Sequence, residues 1–249
     1  MQKWRFLDSG YGDPHWNMAF DKSLLESYLS AESKPVFRVY QWDKPAISLG
    51  RFQDAEKVLN LKNCRKDNIS IVKRITGGGA IYHSCNELTY SLVCAANFFR
   101  AGSVKDSYQK ITDFILKAYR SLGFFAQYAK DYQKDKKELG AVSDFCFSGW
   151  QDYDILIEGK KIGGNAQKRK RAVIFQHGSI PFMIPTNIDD YFLRPIQNKK
   201  DYLCLSKLGF TDLDKLKKIL VKSFKNNLSQ SINHAATSLW EKNKIKRSR

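Results

Sequence analysis

The 249-residue chain lacks several features that would place it in a class at once. No apolar run approaches the roughly 18 residues needed to cross a bilayer, so a membrane-spanning protein is not expected. The first residues lack the uninterrupted apolar core of a secretory signal, which predicts a cytoplasmic protein. The five cysteines are odd in number and form no Cys-x-x-Cys pair, so neither a disulfide framework nor a metal site is expected.

Negative charge is also scarce relative to positive charge. Lys and Arg total 42 against 25 Asp and Glu, which gives a formal net charge of +17. Such an excess favours an anionic partner, which could be a nucleic acid, an acidic protein or a phosphorylated cofactor. The alternative is that the charge only keeps the surface solvated.

The chain shows no internal repeat and no Pro- or Ser-rich linker before about residue 200, which indicates one body. Apolar spacing and capping residues predict helices over residues 16–29, from 103 to 123, and from 211 onward. Runs rich in β-branched and aromatic residues predict strands over 36–42, 46–49, 69–72, 88–94, 153–157, 161–167 and 172–182. Because helices and strands do not alternate strictly, we expect an α+β fold with helices covering one side of a sheet.

Three successive glycines, Gly77, Gly78 and Gly79, lie in the segment Lys-Arg-Ile-Thr-Gly-Gly-Gly-Ala-Ile-Tyr-His at residues 73–83. Without Cβ atoms, this connection lets a ligand lie against the backbone and lets amides face negative charge. Arg74 beside it has a guanidinium that can pair with a carboxylate or phosphate. The spacing excludes the dinucleotide-binding and P-loop patterns. On its own, a triple glycine can also be an ordinary turn.

A second motif is Gly-Lys-Lys-Ile-Gly-Gly-Asn-Ala-Gln at residues 159–167. If the lysines lie on a strand, Lys160 and Lys161 point to opposite faces, so only one can enter a buried site. An inward lysine beside two glycines suits an oxygen that gains negative charge in a transition state. The alternative is an ordinary lysine-rich hairpin.

Two further segments carry polar groups in apolar surroundings. Gln176 and His177 interrupt an otherwise apolar strand, and buried side chains of this kind need partners or a ligand. Cys146 precedes an aromatic residue, which is typical of a small buried hydrophobe. A papain-type protease is excluded because His177 follows only 31 residues later (177 minus 146).

In this order, the motifs resemble those of the lipoate protein ligase A and octanoyltransferase family, relatives of the biotin protein ligases. The family's Arg-Arg-x-x-Gly-Gly-Gly-Ala-Val-Phe-His matches residues 73–83, its Gly-x-Lys-x-x-Gly-x-Ala matches 159–166, and its His-Gly-Thr/Ser matches 177–179. The resemblance implies a biotin/lipoate protein ligase catalytic fold with mixed β-sheets flanked by helices around an acyl-binding tunnel. We expect this domain over residues 1–210, followed by a helical tail over 211–249 and no large accessory domain.

The resemblance also implies roles for individual residues. Lys161 corresponds to the family's essential lysine, which contacts the acyl carbonyl, and Cys146 lies where some transferases keep a nucleophile. The residues implied to hold the acyl group or an adenylate are Arg74, Thr76, Gly77, Gly78, Gly79, Ala80, Tyr82, His83, Gly163, Gly164, Asn165, Ala166, Gln167, His177 and Gly178.

Two reactions remain open within this family. The sequence Gly-Gly-Gly-Ala at residues 77–80 is typical of the lipoate protein ligases and favours this reaction. Such a ligase uses ATP and Mg²⁺ to attach lipoate or octanoate through an acyl-adenylate. The alternative is an octanoyltransferase that takes octanoate from acyl carrier protein through a thioester on Cys146 and needs no cofactor. Ser84 stands where many ligases have Asp, which disfavours metal-assisted handling of ATP. We expect the ligase, with lipoyl domains of E2 subunits or of the glycine cleavage H protein as acceptors.

A third hypothesis comes from a different class of protein. The basic run at residues 168–171 and the basic residues 242–249 could bind RNA or DNA without catalysis. No RNA-recognition signature interleaves aromatic residues with these charges, so nucleic acid is not expected to be the partner.

Overall fold

The computed structural model describes residues 3–30, 34–99, 103–132, 151–196, 202–228 and 232–234. The helices in these ranges are α1 (Pro14–Leu29), α2 (Ala55–Val58), α3 (Leu61–Lys66), α4 (Val104–Ser121), α5 (Ala129–Tyr132) and α6 (Leu213–Leu228). The strands are β1 (Trp4–Gly12), β2 (Val36–Trp42), β3 (Ala46–Leu49), β4 (Ser70–Lys73), β5 (Ile81–His83), β6 (Leu88–Ala95), β7 (Ala126–Tyr128), β8 (Ile155–Ile157), β9 (Lys160–Ile162), β10 (Gly164–Lys170), β11 (Val173–Ile180), β12 (Tyr202–Leu203) and β13 (Ile232–His234).

The strands of the described ranges form three sheets. The largest has the order β10-β11-β6-β2-β1-β13 and contains both parallel and antiparallel pairs. A four-stranded sheet has the order β12-β9-β8-β7, and a three-stranded sheet has the order β4-β3-β5. These mixed sheets with flanking helices confirm the predicted α+β class.

Helices cover both faces of the six-stranded sheet, so the expectation of helices on one side is wrong. On one face, Phe20 and Leu24 of α1 pack in a cluster with Val93 and Phe175. On the other face, α4 and α6 pack over the sheet in the largest cluster. Strand alternation explains the arrangement, because successive residues of β2 enter opposite clusters and both faces are therefore apolar.

The C-terminal helix α6 belongs to this main core. Leu216, Leu220 and Phe224 are fully buried, and the ring of Phe224 stacks on Phe37 of β2 with centroids 3.9 Å apart. The strand β13 then pairs in parallel with β1 at the sheet edge. The helix begins after Asp212, whose carboxylate accepts from the amide of Lys215 at 2.8 Å, so the predicted cap at Thr211 is one residue early.

The predicted strand over residues 161–167 is two strands in different sheets. The break falls at Gly163, which has φ +82°, where a Cβ would lie 2.4 Å from the carbonyl oxygen of Ser179. A side chain is excluded by both the backbone conformation and this contact. The chain therefore leaves β9 in the four-stranded sheet and enters β10 in the six-stranded sheet at this residue.

Candidate active site

The glycine-rich loop after β4 is held by Arg74. The guanidinium donates through Nη2 to the carbonyl oxygens of Gly77 at 2.8 Å and Gly79 at 2.6 Å, and through Nη1 to that of Ser48 at 2.7 Å. Charge-assisted bonds to three carbonyls fix the loop against β3. In this conformation the Arg74 guanidinium therefore binds the main-chain carbonyls of the loop. The sequence had instead predicted a pairing with a carboxylate or phosphate.

Two glycines allow the loop to lie against β3. Gly78 has φ +94°, and a Cβ there would lie 3.1 Å from the Arg74 Nη2 atom. At Gly50, just after β3, a Cβ would lie 2.0 Å from the carbonyl oxygen of Gly78. The close approach of two backbones thus requires glycine at position 50, a residue that is not among the predicted site residues.

An internal cavity lies beside this loop, between α1 and the strands β2, β3, β5, β6, β10 and β11. It is lined by Met18, Tyr40, Trp42, Ser48, Arg74, Ile81, His83, Thr89, Gly164, Ala166, His177, Gly178 and Ser179. Segments far apart in sequence therefore meet here, among them residues of all three motifs. We name this space the inner pocket.

His177 forms one polar wall of the inner pocket. Its Nε2 lies 2.7 Å from Thr76 Oγ1, and its Nδ1 lies 3.6 Å from Asp21 Oδ2. Burial, together with the positive charge of Arg74, lowers the pKa of His177, although Asp21 acts in the opposite direction. The imidazole is therefore neutral at neutral pH, which suits a pocket for an uncharged group.

Asp21 connects this wall to a buried cation. It accepts from Arg38 Nη1 at 2.7 Å, from Ser91 Oγ at 2.7 Å and from the Tyr40 hydroxyl at 3.0 Å. Burial alone would raise the pKa of Asp21, but the Arg38 guanidinium and the hydrogen bonds from His177 and Ser91 hold it below its ordinary value. The buried carboxylate is therefore ionised and fixes the groups around it.

A second network fixes His83. Its Nδ1 lies 2.7 Å from Glu87 Oε1, its Nε2 lies 2.8 Å from Ser48 Oγ, and its ring stacks on Trp42 with centroids 4.0 Å apart. Glu87 also accepts from Ser179 Oγ at 2.6 Å. These contacts hold the imidazole in one orientation against the pocket, as a positioned side chain requires.

Lys161 is buried in β9, whereas Lys160 is partly exposed, as the alternation of the strand predicts. The ammonium donates to Asp154 Oδ2 at 2.7 Å, and Asp154 Oδ2 also accepts from the amide of Gln151 at 2.8 Å. Both side chains of the pair are about 95% buried, with 5% and 6% of their surface exposed. Lys161 is thus a shielded cation with a fixed carboxylate partner.

Several predicted residues are not among those that line the inner pocket, namely Lys161, Thr76, Gly77, Gly78, Gly79, Ala80, Tyr82, Gly163, Asn165 and Gln167. Asn165 accepts from Tyr90 and Gln167 donates to Gln176 on the face of β10 that lies toward α4, opposite Gly164 and Ala166. Tyr82 and Ala80 pack in the cluster around the three-stranded sheet, where Tyr82 lies parallel to Tyr191. Cys146 lies outside the described residues.

Sequence reasoning missed several residues of the site. Arg38 is the charged residue of the mostly apolar strand β2, and that isolation was the available signal. Asp21 lies in a helix with other charged residues and Glu87 lies in the connection before β6, so neither carried such a signal. Asp154, seven residues before Lys161, carried no comparable signal because it follows polar residues. The missed residues of the pocket wall and its networks are Met18, Asp21, Arg38, Tyr40, Trp42, Ser48, Glu87, Thr89, Asp154 and Ser179.

The chain belongs to the lipoyl protein ligase A/B catalytic domain family, whose match covers residues 13–244. This confirms the family identified from the three motifs, and with it the prediction of an enzyme of protein lipoylation. The family includes more than one reaction, so membership alone does not decide between the ligase and the transferase.

Curated relatives are named octanoyltransferase LipM. The chain is 38% identical to the one from Kyrpidia tusciae over 182 residues, which cover 72% of this chain and 66% of that protein. It is 36% identical to the one from Bacillus subtilis over 207 residues, which cover 81% of this chain and 74% of that protein. The match to the first relative thus spans just under two thirds of that protein's length.

Solved structures confirm the fold. A bipartite lipoate protein ligase from Thermoplasma acidophilum, determined with its E2 lipoyl domain, superimposes with a TM-score of 0.78. The two are 19% identical, and the superposition covers 99% of this chain and 92% of that one. The predicted biotin/lipoate protein ligase type of fold is therefore confirmed. In the part of the chain that the structure describes, no helix combines the length and apolarity needed to cross a membrane.

Proposed function

We propose that the protein is an octanoyltransferase that moves an octanoyl group from an acyl carrier protein to a lysine of a lipoyl domain. The observation that carries this proposal is the 36–38% identity to proteins named octanoyltransferase LipM over 72% and 81% of this chain. The ligase expected from Gly-Gly-Gly-Ala at residues 77–80 has weaker support, since the lipoate ligase compared above is 19% identical and supports the fold alone.

The inner pocket has a volume of about 10 Å³ in this structure, room for about one water molecule, so a medium-length acyl chain would fit only after the walls move apart. Apolar side chains such as Met18 and Ile81, with the bare backbone at Gly164 and Gly178, supply an apolar lining. The polar groups of the wall, His83 and His177, are already bonded within the protein. An alkyl chain can then contact them without leaving a polar group unpaired.

In this proposal Lys161 acts where the acyl carbonyl reacts. Attack on a thioester carbonyl places negative charge on its oxygen, and a buried ammonium stabilises that charge more strongly than a solvated one. The pairing with Asp154 keeps the ammonium charged and in place before substrate binds. Lys161 is accordingly the electrophilic residue of the proposed reaction.

Two acyl transfers complete the reaction. The thiolate of Cys146 attacks the thioester carbonyl, the carrier's thiolate leaves and takes a proton, and an acyl-cysteine remains. The amine of the acceptor lysine then attacks this thioester, loses a proton and forms an amide, and the Cys146 thiol is restored. Neither step needs ATP or Mg²⁺. Ser84, buried beside His83, offers a hydroxyl where a ligase's carboxylate would bind a magnesium ion.

The partners follow from this reaction. Lipoyl domains of E2 subunits or of the glycine cleavage H protein are the proposed acceptors, which agrees with the E2 lipoyl domain named together with the T. acidophilum ligase. The proposed donor is octanoyl carrier protein, and the proposed compartment is the cytoplasm.

The test uses mass spectrometry of an apo lipoyl domain. The domain is incubated with the enzyme and octanoyl carrier protein, or with lipoate, ATP and Mg²⁺. We expect an octanoyl adduct with the carrier, loss of this adduct in Cys146→Ser, and retention in Cys85→Ser, where the thiol is partly exposed outside the inner pocket. Modification only with ATP, unchanged in Cys146→Ser, would establish the ligase instead.

A further inference from the structure

Four cations lie on, or just after, three of the elements that wall the inner pocket. Lys22 is one helical turn beyond the pocket residue Met18 on α1, and Arg51 is three residues beyond Ser48 of β3. Lys168 and Lys170 continue β10 beyond Gly164 and Ala166. We name Lys22, Arg51, Lys168 and Lys170 the basic rim.

The register of β10 places the rim on the same side of the sheet as the pocket. Strand β10 pairs with β11 without a shift, and alternate residues of a strand share a face. Lys168 and Lys170 therefore lie on the face of Ala166, which lines the pocket and pairs with His177. At about 3.3 Å per residue, Lys170 is roughly 13 Å along the strand from Ala166.

The rim is a concentration of positive charge without an ion-pair partner among the described residues. No residue of the described chain forms an ion pair with any of the four cations, and Lys22, Arg51 and Lys170 are exposed. Partial burial and the neighbouring charges of Arg51, Lys170 and Lys22 lower the pKa of Lys168. Like charges held together in this way favour a bound anion. Exposed Phe52, which lies under the Arg51 guanidinium, adds an apolar contact beside them.

The charges of the acyl donor and of the acceptor lysine indicate which of the two substrates binds the basic rim. The acceptor must bring a lysine amine to the site, and that amine is itself cationic in water. The donor brings an acyl thioester on an arm that contains a phosphodiester, attached to an acidic protein. Four cations beside the pocket attract the donor and repel the acceptor lysine.

We propose that the basic rim is the docking surface for the acidic face and the phosphodiester arm of the acyl donor carrier. The proposal rests on the proposed function, because it names the donor side of that reaction. Since electrostatic docking acts on encounter and affinity, the rim governs KM for the carrier and leaves the acyl transfer itself unchanged.

The experiment compares two donors in transfer to an apo lipoyl domain. One donor is octanoyl carrier protein, and the other is an octanoyl N-acetylcysteamine thioester, which has neither protein nor phosphate. For K168E/K170E we expect KM for the carrier to rise about tenfold or more, with kcat/KM for the small thioester within about twofold of wild type. The wild-type KM for the carrier should also rise with salt, and this dependence should be weaker in the variant.

The matched control is K222E/K225E. It makes the same change in net charge on exposed residues of α6, which covers the opposite face of the six-stranded sheet. We expect its kinetics with both donors to match wild type. An equal rise of KM in this control would show a general effect of net charge and would overturn the proposal.

Other outcomes separate the proposals from each other. An unchanged KM for the carrier in K168E/K170E would overturn the proposal that the basic rim binds the carrier. A rise in KM for the lipoyl domain alone would overturn it as well. Loss of RNA retention in the variant with unchanged carrier kinetics would assign the rim to nucleic acid instead. If the wild type uses neither donor, the proposed function fails. In that case, titration of wild type and of K168E/K170E with apo carrier protein tests the docking surface. Equal binding by the two enzymes, or no binding by either, would overturn it.

Discussion

The ammonium of Lys161 lies 2.7 Å from the Asp154 carboxylate, and both groups are shielded from water. A buried cation of this kind is stabilised only if a fixed anion compensates its charge. The partner is held in turn by the amide of Gln151, so its position does not depend on Lys161 alone. The pair therefore makes Asp154 a positioning residue for the lysine that we propose to stabilise the acyl oxyanion.

Replacing Lys161 or Asp154 should distinguish stabilisation of the oxyanion by the lysine from positioning of the lysine by the carboxylate. Lys161→Ala should lower kcat by about 100-fold or more, because the oxyanion loses its charged donor. Asp154→Asn should leave the lysine but remove the neighbouring negative charge that stabilises its ammonium. The remaining activity should then be lost at a lower pH than in wild type, as measured by pH profiles of kcat/KM.

Asp154→Glu is the control for this prediction. It keeps the negative charge, so most of the wild-type pH profile should return. A pH profile in Asp154→Asn that parallels the wild type would show that the carboxylate does not control the charge of Lys161.

The Arg38–Asp21 ion pair should be important for folding. Its side chains are 0% and 2% exposed, and Arg38→Met would leave the carboxylate without its cation. We expect a loss of about 3–5 kcal/mol in the free energy of unfolding, measured by urea denaturation. Lys44→Met breaks the Lys44–Asp13 pair, which is 47% and 37% exposed, and should cost less than about 1 kcal/mol. Similar losses in the two variants would contradict this account.

The contact between Gly50 and the carbonyl of Gly78 predicts a strong effect of one methyl group. Gly50→Ala would place a Cβ 2.0 Å from a backbone oxygen, so the glycine-rich loop must move away from β3. We expect a lower Tm and a weaker binding of the acyl substrate. Gly77→Ala is the control for folding, because its Cβ would meet no atom within 4 Å. Equal Tm values for Gly50→Ala and wild type would show that the loop can shift freely.

The buried His177 predicts a dependence of stability on pH. Burial lowers its pKa in the folded protein, so below about pH 6.5 the unfolded chain binds the proton more readily. The contribution of neutral His177 to the free energy of unfolding is therefore fully present above that pH and is lost as the pH falls. The groups that face the imidazole are Asp21, Thr76, Arg74 and His83. Asp21, whose pKa is also lowered, contributes only at more acidic pH, below about 3.9.

Urea denaturation of wild type and His177→Gln between about pH 7.5 and about pH 5.5 checks this expectation. The free energy of unfolding should decline with acid in wild type and decline less in the variant. Parallel declines would assign the dependence to other groups.

Most elements were predictable because their signals are local. The helix α4 follows from the Ser103 cap and its apolar face, and β2, β3 and β6 from runs of β-branched and aromatic residues. The split at Gly163 was not predictable, because it depends on the carbonyl of Ser179, which is 16 residues away (179 minus 163). The placement of helices on both faces likewise depends on contacts between distant segments.

The sequence by itself determined the family, because three motifs in fixed order identify it. Strand alternation predicted that only one of Lys160 and Lys161 would be buried, and the resemblance to the family selected Lys161. Only the tertiary structure decided which motif residues meet. It joined Gly164, Ala166 and His177 in one pocket, turned Asn165 and Gln167 to the other face, and supplied Asp154, Asp21 and Arg38 as partners. The physical reason is that the partner of a buried charge is selected by folding across the chain, and sequence proximity carries no information about it.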